Sequence, residues 1–95
     1  MAIYKLSPDA EEDLYRIWLY GVHKFGVNQA DKYYQAFFHQ FDLIAQDPLI
    51  CPAVDYIKKG YRRGVSGVDS IYYRINGDRV EIMSIIGRQD VYLKL

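Results

Sequence analysis

The stretch GYRRGVSGVDSIYYRINGDRVEIMSIIG, residues 60–87, decides the fold class. From Gly60 the polar and apolar residues alternate with period two, the spacing of half-buried strands. Tyr61–Val65 reads as a short strand and Ser66-Gly67 as a turn. Asp69–Ile75 sets Ile71, Tyr73 and Ile75 against Ser70, Tyr72 and Arg74. Asn76-Gly77 is the strongest hairpin signal in the chain, because both residues tolerate positive φ in a type I′ turn. Val80–Ile86 is apolar at Val80, Ile82 and Ile86 on one face and at Met83 and Ile85 on the other. That pattern predicts a central strand covered on both sides. Gly87 ends it, and Val91–Leu95 is a short alternating tail.

Upstream of this meander the period is that of a helix. Ser7-Pro8 is a strong start: Ser7 can cap, Pro8 suits the first helical position, and Asp9, Glu11 and Glu12 favour the positive end of the helix dipole. Ala10, Leu14, Ile17, Trp18, Gly21 and Val22 then form one face, and Gly26 ends the helix after Lys24. Asn28 with Asp31 resembles a capping box. It predicts a second helix from about Gln29 to Ala45, with Ala30, Tyr33, Tyr34, Phe37, Phe38, Phe41, Ile44 and Ala45 as its apolar positions. The short connection Phe25–Asn28 makes the two helices an antiparallel hairpin. Ahead of them, Ala2–Leu6 alternates as a short strand. The order β-α-α-β-β-β is an α+β fold: an N-terminal strand and a helical hairpin packed on a small twisted, mainly antiparallel sheet.

A chain of 95 residues makes one domain over 1–95, with room for one core. No apolar run approaches the roughly 20 residues that span a bilayer, and the N-terminus lacks the apolar core of a signal peptide. The expected location is the cytoplasm. The single cysteine, Cys51, excludes an intrachain disulfide and a cysteine-based zinc site. His23 and His39 fall roughly 15 Å apart along the helical hairpin at 1.5 Å per residue, too far to share a metal ion. No cofactor, phosphate-loop or nucleophile-elbow motif is present.

The zero net charge is divided. Residues 1–55 hold four basic and eight acidic side chains, net −4, and residues 56–95 hold eight basic and four acidic, net +4. Such asymmetry points to a macromolecular partner for the basic half. Arg62 and Arg63 should point to opposite faces of the first meander strand. Arg74 shares a face with Tyr72, and Arg88 follows the last strand. An exposed sheet face carrying Arg, Tyr and Lys suits a polyanion or an acidic protein surface. Pairing of these arginines with Asp69, Glu81 and Asp90 across strands is the plainer alternative. The aromatic stripe on the second helix reads as core, although the adjacent pairs Tyr33-Tyr34 and Phe37-Phe38 broaden it enough to leave one side open to a partner.

Two segments carry a family resemblance over about residues 3 to 90. The first is Ser7, Pro8, Ala10, Asp13, Leu14, Ile17 and Trp18. The second runs from Tyr73-Arg74-Ile75 through Gly77-Asp78, Val80-Glu81-Ile82 and Ile85-Ile86-Gly87-Arg88-Gln89-Asp90. Together they resemble the ParE toxins of the RelE/ParE superfamily, found in type II toxin–antitoxin systems. The resemblance implies a toxin that inhibits DNA gyrase by trapping its cleaved-DNA complex, without a catalytic residue of its own. It also implies a ParD-type antitoxin whose flexible tail wraps the toxin in a hetero-oligomer. On this reading Arg62, Arg63, Tyr72, Arg74 and Arg88 are the candidates for target binding. Tyr15, Trp18, Phe37, Phe38, Lys58 and Lys59 are the candidates for antitoxin binding. The RelE branch, which cleaves mRNA on the ribosome, is the alternative. It needs an acid–base group near the C-terminus, and Tyr92 is the only candidate there, at a spacing that departs from that branch. An inert interaction module is the third reading.

Overall fold

The computed structural model describes residues 3–87; Ala2, Arg88, Tyr92 and the C-terminal tail lie outside the described residues. The element order is β1 (Ile3–Leu6), α1 (Pro8–Phe25), α2 (Val27–Gln46), β2 (Tyr61–Ser66), β3 (Asp69–Asn76) and β4 (Arg79–Gly87). The sheet runs β1-β4-β3-β2. β1 lies parallel to β4, and the other two pairs are antiparallel. The helices cover one face of this sheet. Phe37 and Phe41 of α2 and Leu14 of α1 are buried against Ile71, Tyr73, Val80, Ile82 and Ile85. No helix among the described residues is long and apolar enough to cross a membrane.

The start of α1 does two jobs at once. The Ser7 hydroxyl accepts from the Ala10 N–H at 3.0 Å, as an N-cap should, and donates to the Met83 carbonyl at 2.9 Å. Ser7 N–H donates to Ile82 O at 2.9 Å. β1 pairs with β4 only as far as Ile82, so the first turn of α1 takes over where the strand stops. One turn further on, the buried Asp13 carboxylate accepts from the Ile85 N–H at 3.0 Å. Ser7, Ala10 and Asp13, which stand together in the sequence signature, thus fasten α1 to the central strand.

Local turn chemistry differs from the sequence reading in three places, by two residues at the start of α2 and by one residue at each hairpin turn. The helices meet at Gly26 alone, whose φ of +92° lets it end α1 and begin α2. The Asn28–Asp31 capping box does not form, and Asp31 instead accepts from Trp18 Nε1 across the hairpin at 2.9 Å. The hairpin loops are Gly67-Val68 and Gly77-Asp78, each flanked by paired residues. Positive φ is confined to the glycine at the first central position, +60° and +65°, the pattern of type II′ rather than I′.

The parity of β4 is also corrected. Tyr72 faces Ser84 and Tyr73 faces Ile82, so Met83 is the extra residue of a β-bulge. The bulge turns Val80, Ile82 and Ile85 together under the helices and sends Ile86 to the opposite face.

That opposite face is not open to solvent along its whole length. The segment after α2 passes the β2 edge, where Ala53 bridges Arg62, and folds over the sheet. Val54 and Ile57 pack there on Tyr61, Tyr72 and Ile86. Val54 N–H donates to Tyr61 O at 2.8 Å and Arg63 N–H to Pro52 O at 3.1 Å, which protects the edge strand.

Candidate functional site

Two surfaces stand out. The first is a groove of about 690 Å³ between the helices, open beside β1. α1 supplies Leu14, Tyr15 and Trp18 to it, α2 supplies Tyr34, and β1 supplies Leu6. Its rim carries two carboxylates, Glu11 and Asp31. Tyr15 and Trp18 stack at 6.4 Å, and the bond from Trp18 Nε1 to Asp31 fixes the indole while leaving part of its face open. Tyr34 contacts Phe38 at 5.0 Å, Phe38 contacts Phe41 at 5.4 Å, and Phe41 contacts Tyr4 at 5.4 Å. A line of rings therefore leads from the groove to β1, which among the described residues pairs with β4 alone and forms an edge of the sheet.

The structure brings Tyr15 and Trp18 together in this groove, with Phe38 half-buried nearby. Phe37 is a correction: it is fully buried, because its position on α2 points at the sheet, where it meets Tyr33 edge-on at 5.2 Å. Lys58 and Lys59 lie elsewhere, in the segment beyond the β2 edge, with the Lys58 ammonium 5.3 Å from the centre of the Tyr61 ring. Leu6 and Tyr34 belong to the groove and were read only as pattern residues. Their lining role depends on how the helices splay, which no local signal reports.

The second surface is the outer sheet face. Arg62 and Arg63 do point to opposite sides. Arg62 turns toward the helical side and donates to Cys51 O at 2.6 Å, tying down the segment after α2. Arg63 stays on the outer face, with Nε donating to Ser70 Oγ at 2.8 Å. Arg74 is exposed on the same face and pairs with Glu81 at 2.6 Å. This contact holds the Glu81 carboxyl below the usual carboxylate range and raises the Arg74 guanidinium, first through the hydrogen bond and then through charge. Tyr72 is the second correction. It shares this face with Arg74 but is 3% exposed, because Val54 and Ile57 cover it.

Two tyrosine hydroxyls hold the frame. Tyr33 Oη lies 2.7 Å from Asp69 Oδ2 and accepts from the Val68 N–H, locking the β2–β3 turn onto α2. Burial, then the Asp69 hydrogen bond, push its pKa up to about 12. Tyr73 donates to Pro48 O at 2.7 Å, and burial pushes its hydroxyl higher still.

Comparison with known proteins places this geometry in a family. The family model described as the ParE toxin of type II toxin–antitoxin systems matches residues 4–92. The chain is 34% identical over 90 residues to Toxin ParE1 of Mycobacterium tuberculosis, covering 93% of this chain and 92% of that protein. It is 36% identical over 86 residues to Toxin ParE1 of Caulobacter vibrioides, covering 90% and 88%. The fold is similar to that of a chain in the chromosomal ParDE toxin–antitoxin system from P. aeruginosa, with a TM-score of 0.79 at 21% identity over 92% of this chain and 95% of that one. A sheet fastened to its helices through Ser7 and Asp13, a groove between those helices, and a match along nearly the whole length lead to one conclusion: the chain belongs to the ParE toxin family of type II toxin–antitoxin systems.

Proposed function

We propose that this toxin acts on DNA gyrase in the cytoplasm, stabilising the cleaved-DNA complex and so blocking replication, and that a ParD-type antitoxin neutralises it by filling the groove between the helices. The observation that carries the antitoxin half is the groove itself: apolar rings beside a strand that forms the edge of the sheet among the described residues, on a protein of a family defined by toxin–antitoxin pairs. An amphipathic segment can place its apolar side on Tyr15, Trp18 and Phe38 and continue along β1 by strand addition. The carboxylates of Glu11 and Asp31 favour a basic residue of that segment at the rim. Lys58 and Lys59 join the antitoxin interface only if the tail also rounds the sheet.

The ParE-type sequence pattern supports the gyrase half, as does a basic outer face on the side of the sheet away from the groove. Arg63 and Arg74 are the described candidates for target contact there. On this account binding energy stabilises an intermediate of the target's own reaction, and no side chain of the toxin makes or breaks a bond. The experiment is a gyrase supercoiling assay with ATP, run beside a translating-ribosome assay. The expected result is loss of supercoiling with accumulation of cleaved DNA and intact mRNA. Cut mRNA with gyrase untouched would replace this reading with the RelE-type nuclease.

A further inference from the structure

The strand register assembles a row of charges that is invisible in the linear sequence. Lys5 of β1 stands beside Glu81 of β4, Glu81 beside Arg74 of β3, and Arg74 beside Tyr61 of β2. All four lie on the outer face, and Lys58 extends the row by capping the Tyr61 ring at 5.3 Å. Arg79 stands two residues along β4 from Glu81, between Ile3 and Asn76, on the same face. Lys5, Lys58, Arg74 and Arg79 are all exposed. The opposite layer has the opposite sign: the two helices carry six acidic and three basic side chains, whereas the four strands carry five basic and two acidic. Among the described residues the helical and sheet layers thus carry opposite net charge.

We infer that this row is a docking strip for the phosphate backbone of duplex DNA. The inference deepens the reading above, since the gyrase intermediate holds cleaved duplex. Three inter-strand spacings of about 4.8 Å carry the row across about 14 Å. That length matches about four phosphates of one strand at 3.4 Å of helix axis each. The chemistry favours a polyanion over an acidic protein. Protein interfaces are anchored by clustered apolar and aromatic side chains, but Tyr61 and Tyr72, the aromatic rings on the strands of this face, are buried under Val54 and Ile57, and its exposed apolar side chains, Ile3 and Val65, stand apart on opposite edge strands. The same burial takes these two rings out of stacking with unpaired bases. Charged heads remain, and these contact phosphates without reading sequence. Glu81 is the built-in brake, because its ion pair occupies Arg74.

The test is fluorescence anisotropy of the free toxin with a short mixed-sequence duplex across a salt series. With Arg74 held by Glu81, the three phosphate contacts of Lys5, Lys58 and Arg79 give a slope of log affinity against log salt near −2.7, or about a 40-fold loss between 50 and 200 mM salt. Lys5→Ala and Arg79→Ala should each make the slope shallower by about 0.9. Glu81→Gln should tighten binding, since it frees Arg74 and removes an anion. Absence of binding at low salt, slopes that ignore all three substitutions, or capture of polyglutamate in place of DNA would overturn the inference. Gyrase inhibition that persists without DNA binding would remove this inference and leave the proposed function standing. DNA binding without gyrase inhibition would support the strip and remove the gyrase reading.

Discussion

Asp13→Ala should be the most damaging single polar substitution in α1. The Asp13 side chain is 3% exposed, and its Oδ2 accepts from the buried Ile85 N–H at 3.0 Å, just beyond the Met83 bulge. The bond is charge-assisted, a class worth about 1.5–3 kcal/mol, and its loss strands a buried backbone donor at a cost of similar size, so about 3 kcal/mol is expected. A domain of this length has about 5–14 kcal/mol in total at 0.05–0.15 per residue. Urea unfolding followed by the fluorescence of Trp18, the single tryptophan, measures the change as a lower midpoint at constant m. The melting temperature should fall by about 12–24 °C at 4–8 °C per kcal/mol. Asp13→Asn keeps a carbonyl acceptor for Ile85 and should cost only about 1 kcal/mol. Arg16 contacts Asp13 at 3.3 Å but is 56% exposed, so Arg16→Ala should cost at most about 1 kcal/mol. The attachment of α1 to β4 through Asp13 is refuted if Asp13→Ala lies within about 0.5 kcal/mol of the parent, the range of a surface change, or if Arg16→Ala is the worse of the two.

Gly67→Ala should destabilise by about 2 kcal/mol or more in denaturant melts, because φ of +60° disfavours a side chain and the new Cβ would run into the Tyr33 ring; a neutral result would mean that the turn relaxes freely. In the folded chain the Tyr33 pKa lies above its unfolded value, so its stabilisation is whole below pH of about 10 and is lost as pH rises toward about 12. Tyr33→Phe should therefore flatten part of the alkaline fall in melting temperature. Trp18→Ala should weaken antitoxin binding by about 2 kcal/mol or more in calorimetry, as central aromatic anchors do, while Lys59→Ala should change it little. Arg62→Glu should lower stability as well as any toxicity, because it removes the bond to Cys51 O, and an unchanged urea midpoint would contradict that role.

The local signals were sufficient for the element order. Ser7-Pro8 announced α1, Gly26 ended it, and the period-two runs after Gly60 gave three strands, because capping and alternation act within a few residues and leave their mark on composition. The shifts at Asn28 and Asn76 have one cause: more than one nearby residue can satisfy a turn, and the packing on either side selects among them. Tyr15 and Trp18 were named from the family resemblance; helical spacing puts them on one ridge, and the packing of the two helices sets both in the groove. The burial of Tyr72 was not legible, since a segment folded back from beyond the β2 edge covers it, and nothing in the alternation of β3 encodes that segment. The Met83 bulge likewise follows from fitting β4 to β3 and to the first turns of α1 together. The row of Lys5, Glu81 and Arg74 spans nearly the full length of the chain. Sequence determined each charge, but only the parallel pairing of β1 with β4 decided that they stand side by side, because register is fixed by burying one whole face of the sheet at once.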